Sequence, residues 1–312
     1  MNLTGNSRVC KPLAPARDPA HSRLKGFAFT LETQMTILLF TLLVGIGSAI
    51  AGFLGSLTGL GGGVVLVPLL TLVFGVDIHY AMGASLVSVI ATSSGAASAF
   101  VREGYSNIRV GMFLEVATTL GALLGAFLTA RISGGSLGTV FGLVLIYSAW
   151  LSIRRLPEDP GPVPPDTLSE KLRLNGSYPG PEGPRPYHVG HVPGGFALMF
   201  GAGTLSGLLG IGSGAMKVVA MDQVMKIPFK VSTTTSNFMI GVTAAASAGI
   251  YLKRGYIEPG LAMPVMLGVL AGSMLGAKVL FRSKTQVLRW VFSAVIVFLG
   301  IQMIVHSLTG KL

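Results

Sequence analysis

Charged side chains are missing from long stretches of this chain, and apolar residues fill them. Residues 33–76, between Glu32 and Asp77, carry no charge. Further apolar windows follow at 78–101, 110–130, 132–153, 192–216, 231–252, 259–277 and 290–310, with Glu115 inside 110–130. A helix needs about 20 apolar residues to cross a bilayer, so these windows predict membrane spans. The first window is too long for one helix and is broken at Gly59, Gly61, Gly62 and Gly63. A full span, 36–58, precedes the break. The piece after it, 64–75, contains Pro68 and is too short for a comfortable crossing. It reads as re-entrant or half-helical, because irregular backbone at membrane depth is tolerated only inside protein or along a wet cavity.

Composition agrees. Of 312 residues, 51% are hydrophobic and 11% charged, against about 25% charged in soluble domains. Mean hydropathy is +0.69. An ordinary soluble globule and a disordered chain are both excluded. The 43 glycines are roughly twice the usual share of about 7%. The single cysteine, Cys10, leaves no internal disulfide and no cysteine-based metal site. The basic N-terminal tail, residues 1–35, has no apolar core before Phe27 and does not read as a cleavable secretory signal.

The middle of the chain differs. Residues 155–193 hold most of the 17 prolines. Leu172–Tyr178 alternates apolar and polar residues, a turn-rich run follows at 179–184, and Tyr187 and Val189 alternate again. This predicts a small extramembrane β-hairpin in a linker. His188 and His191 lack companion ligands, so no metal site is expected.

The two flanking regions, 36–154 and 194–309, align without a gap at an offset of 151 positions. Gly59–Gly63 meets Gly210–Gly214, Ser85 meets Ser236, Gly104-Tyr105 meets Gly255-Tyr256, and Gly121 and Gly125 meet Gly272 and Gly276. Glycine-interrupted segments at matching places in two repeats point to a transporter's binding site. The glycines four apart, Gly121, Gly125, Gly272 and Gly276, read as close helix packing. The breaks have two readings, tight crossing or a ligand site. Alternate glycines destabilise a helix outright, and a broken helix leaves free N–H groups that favour an anion. These point to Gly61, Gly62, Gly63, Gly212, Ser213 and Gly214. A nucleotide P-loop is excluded, because Gly59–Gly63 lacks the Gly-Lys-Ser/Thr ending.

Four ionisable residues fall at membrane depth: Glu115, Lys217, Asp222 and Lys278. Such residues are functional candidates. Lys217 follows Gly214 by three positions, so it sits within one turn of a possible anion-facing helix start. The alternatives are a pair with Asp222 or snorkelling to the interface. Glu115 is the candidate for a coupled proton; a position near the membrane edge is the competing reading. Thr235, Ser236 and Asn237 in the run 232–237 offer uncharged hydrogen bonds to an anion, or else cap and bind helices.

Gly59-Leu-Gly-Gly-Gly63 followed by Pro68, the echo Gly207-Leu-Leu-Gly-Ile-Gly-Ser-Gly214, and Ala-Met-Gly-Ala-Ser85 with its echo Thr-Thr-Ser-Asn-Phe238 resemble the sulfite exporter TauE/SafE family. The resemblance covers residues 36–309. It implies a membrane permease for sulfite, sulfonates or related organosulfur anions. One departure stands out: the second half has Val219 where the first has Pro68.

The expectation is therefore an all-α polytopic membrane protein of two homologous repeats. Each has about four transmembrane helices plus a glycine-broken short element, with substrate bound near the midplane where the breaks meet. Transport of another small organic or inorganic anion, or a scaffold role, is the alternative. No enzyme motif is present, and no cofactor is implied. The expected partners are a small anion and the lipid bilayer. Nucleic acid is not among them, despite a net charge of +11. Eight spans place most of the 23 Lys and Arg residues on one side, with both termini and the linker cytoplasmic in the cell membrane. With the termini still inside, ten spans in inverted halves leave more basic residues outside than inside.

Overall fold

The computed structural model describes residues 37–56, 62–102, 106–153, 166–180, 183–280 and 285–310. The N-terminal tail, Gly61 and the proline-rich start of the linker lie outside the described residues. In chain order come α1 (Ile37–Ser56), α2 (Gly63–Pro68) with a π-helical turn (Leu69–Val73), α3 (Ile78–Arg102), α4 (Ile108–Thr129) and α5 (Gly134–Ile153). The linker contributes α6 (Thr167–Lys171), β1 (Gly176–Gly180) and β2 (Gly183–Tyr187). Then follow α7 (Val192–Leu209), α8 (Gly214–Val219) with a second π turn (Ala220–Val224), α9 (Phe229–Lys253), α10 (Pro259–Leu280) and α11 (Thr285–Leu308). The strands form the expected antiparallel hairpin, with Gly176 opposite Tyr187 and Gly180 opposite Gly183.

Among the described residues, four helices are long and apolar enough to cross a membrane: Leu38–Gly55, Ile108–Thr129, Val192–Leu209 and Pro259–Gly276. Their surfaces are inverted relative to a soluble protein. On α4, Met112, Val116, Leu120 and Phe127 are exposed, whereas Gly111, Glu115, Thr118, Gly121 and Gly125 are buried. Large apolar groups outside and small or polar groups inside suit a lipid solvent, where burying apolar surface gives helices no advantage.

Small residues set the packing. A Cβ on Gly121 would strike the Phe200 carbonyl, and one on Gly125 the Thr204 carbonyl, so α4 lies parallel to α7 with backbones touching. On the other side, Gly268 and Gly272 of α10 meet the carbonyls of Gly45 and Ala49 on α1 in the same way. The packing role expected for Gly121, Gly125 and Gly272 is thus observed.

Element boundaries recur at the offset of 151: α2 with its π turn against α8 with its own, α3 against α9, α4 against α10. The π turn follows both Pro68 and Val219, so a missing proline N–H is not what creates it. Both close through the same bond, Val76 N–H to the Leu70 carbonyl and Ile227 N–H to that of Met221.

Contacts at the helix ends fix the path. Phe74, past the first π turn, meets Phe40 near the start of α1 edge-to-face, with centroids 6.0 Å apart. The short element therefore returns to the level where α1 began. From there α3 runs the full depth to the level of Asn107, whose amide donates to the Leu174 carbonyl and the Tyr187 hydroxyl of the linker. Gly190, just before α7, donates to the carbonyl of Met225. Arg254, after α9, reaches the carbonyls of Ala126 and Phe127 at the far end of α4, and Tyr256 packs on Tyr80 and His79 at the start of α3. Ser307 of α11 bonds to Gly135 and Thr139 at the start of α5.

The linker hairpin thus sits at one end of the helices. The start of α1 and the end of α11 sit at the other.

Candidate functional site

The two breaks lie side by side. A Cβ on Gly63, the first residue of α2, would lie 3.6 Å from the Ile211 Cα and 2.5 Å from the Ser85 Oγ. Ser85 of α3 donates to the Gly210 carbonyl at 2.8 Å, and its counterpart Ser236 on α9 donates to the Gly214 carbonyl at 3.2 Å. Gly210 and Gly212 have φ of +67° and +74°, and Ser213 a φ of +41°. This run of left-handed residues explains why glycine is needed there. Ser213 is buried, and its Oγ has no hydrogen-bond partner.

Three residues after Gly214, the break delivers Lys217 into the interior. Its side chain is 0% exposed. Nζ donates to the Thr243 Oγ1 of α9 at 2.5 Å and stands 4.0 Å from the Glu115 Oε2 of α4. Thr243 Oγ1 lies 2.6 Å from Glu115 Oε1 and 3.0 Å from the Met239 carbonyl. Its single hydroxyl proton serves one of these, and the charged acceptor makes the stronger bond. Thr119, one turn along α4, donates to the same Oε1 at 3.2 Å. Oε2 is buried with no hydrogen-bond partner. The result is a desolvated ion pair spanning three elements, with one carboxylate oxygen doubly served and the other bare.

Neither alternative for Lys217 is found, since it neither snorkels nor pairs with Asp222. Asp222 is buried in the second π turn and interacts electrostatically with Lys226. Glu115 is 5% exposed, so it does not lie at an open edge. The side chain of Lys278 falls outside the described residues. Gly62, Gly63, Gly212, Ser213 and Gly214 lie at the two breaks. Thr235 is committed elsewhere: its Oγ1 accepts from the Asn107 N–H at 3.1 Å, tying α9 to the start of α4. Ser236 is held by Gly214, and Asn237 is half-buried on the same helix.

Sequence reasoning missed Thr243 and Thr119. A signal existed for both. Thr243 follows Ser236 by seven residues and so shares its face; Thr119 follows Glu115 by four. Among the described residues, no group of three or more His, Cys, Asp or Glu is placed to hold a metal ion.

Comparison with known proteins identifies the family. The sulfite exporter TauE/SafE family model matches residues 43–303. The chain belongs to this family. The probable membrane transporter protein YunE of Bacillus subtilis (strain 168) is 28% identical over 284 residues, covering 86% of this chain and 98% of YunE. YdhB of the same organism, also a probable membrane transporter, is 30% identical over 245 residues, or 78% of this chain and 89% of YdhB. The archaeal probable membrane transporter protein MJ0441 of Methanocaldococcus jannaschii is 25% identical over 283 residues. No solved structure matches the chain. This TauE/SafE chain is therefore a multi-pass membrane transporter, and the family assignment fits a non-enzyme.

Proposed function

We propose that this transporter carries small organosulfur oxyanions, such as sulfite or an alkyl sulfonate, and holds them at Lys217. The observation that carries the reading is a fully buried lysine at a helix break, 4.0 Å from a carboxylate oxygen that accepts no hydrogen bond. Lys217 supplies the charge, and Gly212, Ser213 and Gly214 let backbone and a free hydroxyl approach the anion. Gly62 and Gly63 line the same place from the other break, and Ser236 and Asn237 border it on α9. Thr243 and Thr119 orient Glu115.

The two halves, 36–154 and 194–309, are read as inverted repeats, each with four helices and one broken element. Support comes from mirrored contacts: Gly121 on Phe200 and Gly272 on Ala49 are the same contact displaced by 151 positions, as are Gly203 on Thr118 and Gly52 on Val269. Inverted repeats around a midplane site give alternating access by rocking. In this arrangement the linker face carries Arg109, Lys171, Arg173, Arg185, Lys226 and Lys230, and the opposite face Arg131, Lys253 and Arg254. The positive-inside rule then puts the linker in the cytoplasm and the described chain ends outside.

The deciding experiment is uptake of labelled sulfite, sulfoacetate and methanesulfonate by liposomes containing the purified protein. Uptake above that of empty liposomes, lost in Lys217→Ala, is expected. Absence of flux for every anion from a monodisperse preparation overturns the reading.

A further inference from the structure

The charge balance around Lys217 has a consequence for energetics. With the site empty, Lys217 and Glu115 together are neutral. A bound monovalent anion would add one negative charge, and among the described residues no further charged side chain bonds to Lys217 or Glu115. On α4 the remaining charged residue, Arg109, is exposed at the linker end. On α9, Lys230 and Lys253 are exposed at the two ends. Asp222 lies in the second π turn, and α5 and α7 carry no charged residue. An uncompensated charge at this depth is costly.

We propose, building on the reading of Lys217 as the anion site, that Glu115 takes up one proton for each monovalent anion bound, so that the transporter is an electroneutral proton–anion symporter. The proton adds to Oε2, the carboxylate oxygen without a partner, while Oε1 keeps its bonds from Thr243 and Thr119. The neutral acid then donates to the anion that Lys217 holds. The 4.0 Å between Nζ and Oε2 lets one anion oxygen sit about 2.8 Å from each. Loaded, the site holds an ammonium, an anion and a neutral acid, and is again neutral. Release of the anion lets Glu115 lose its proton to the same side and pair once more with Lys217. At the offset of 151 the mirrored positions are Leu66 for Lys217 and Thr92 for Thr243 in the first half, and Met266 for Glu115 in the second. The device therefore exists once per chain.

The test uses purified full-length protein in liposomes with an entrapped pH dye, the membrane potential clamped by potassium and valinomycin. Methanesulfonate is the probe, because its own group does not titrate in this range. Inward flux should acidify the lumen with one proton per anion and ignore the clamped potential. An opposing gradient of about one pH unit should null about a tenfold anion gradient. Glu115→Gln should still carry the anion, without protons and now driven by potential. Wild-type flux that leaves the luminal pH unchanged overturns the coupling and leaves the transport reading standing. So does a Glu115→Gln protein that still acidifies. Absence of flux for every organosulfur anion overturns both. The wild-type measurement decides the matter even if the variant does not fold.

Discussion

Lys217 and Glu115 lie within ion-pair distance at 4.0 Å, yet the hydrogen bonds between them run through the Thr243 hydroxyl. The pair is held at arm's length by a neutral group. That spacing leaves Lys217 able to take another acceptor without first breaking a direct bond to the carboxylate.

Removing one partner strands the other. Lys217→Ala should cost about 3–5 kcal/mol of stability, because Glu115 then sits charged and unpaired. Lys217→Met combined with Glu115→Gln should recover most of that loss while remaining inactive. Thermal unfolding in detergent, read beside anion uptake, checks both. A double variant no more stable than Lys217→Ala would contradict the pairing.

Glycine substitutions should separate packing from exposure. Gly125→Ala drives a methyl into the Thr204 carbonyl and should cost about 1–3 kcal/mol. Gly249→Ala meets nothing within 4 Å and should be neutral, or stabilising by up to about 1 kcal/mol through helix propensity. Equal melting temperatures for the two variants would rule out the carbonyl-level contact between α4 and α7.

Asp166 ties the linker to the membrane domain. Its carboxylate accepts the Val192 N–H at 3.0 Å and the Leu168 N–H at 3.0 Å. The Val192 bond and then the Leu168 bond hold its pKa below the usual aspartate value. A depressed pKa means that the stabilisation is full above the ordinary aspartate range and fades as pH falls through the folded value. Asp166→Ala should loosen α6 by about 1 kcal/mol and abolish the acid-dependent component. Amide exchange at Leu168 and Val192 against pH measures it. Exchange independent of pH in the wild type, after correction for intrinsic rates, would disprove the capping role.

Topology can be read with single cysteines in a Cys10→Ser background. Ser177→Cys in the hairpin and Thr309→Cys after α11 should label from opposite sides of intact cells, with Thr309→Cys the one reached from outside. Labelling of both from the same side would refute the inverted arrangement.

Much of the helical plan was legible because a bilayer writes a plain rule into sequence. The window 110–130 became α4, 231–252 became α9, and the alternation around Tyr178 and Tyr187 became the hairpin. The path through the membrane was not legible. The eleven residues of Gly63–Val73 rise about 17 Å, half of a hydrocarbon core of about 30 Å, so length alone could not tell a crossing from a return. The contact between Phe40 and Phe74 bears on the choice, and that contact depends on tertiary packing. The site was half legible for a similar reason. Lys217 announces itself as a charge among apolar residues. Its link to Glu115 needs Thr243, one hydroxyl among the many that line α9, and choosing it requires knowing which helix faces which.

The backbone embrace of α4 with α7, and of α10 with α1, has one more consequence. Each half lends its third long helix to the other, so the covalent halves are not the mechanical ones. A chain cut within the linker would stay clasped, and two fragments made together would find each other in the membrane through their lent helices.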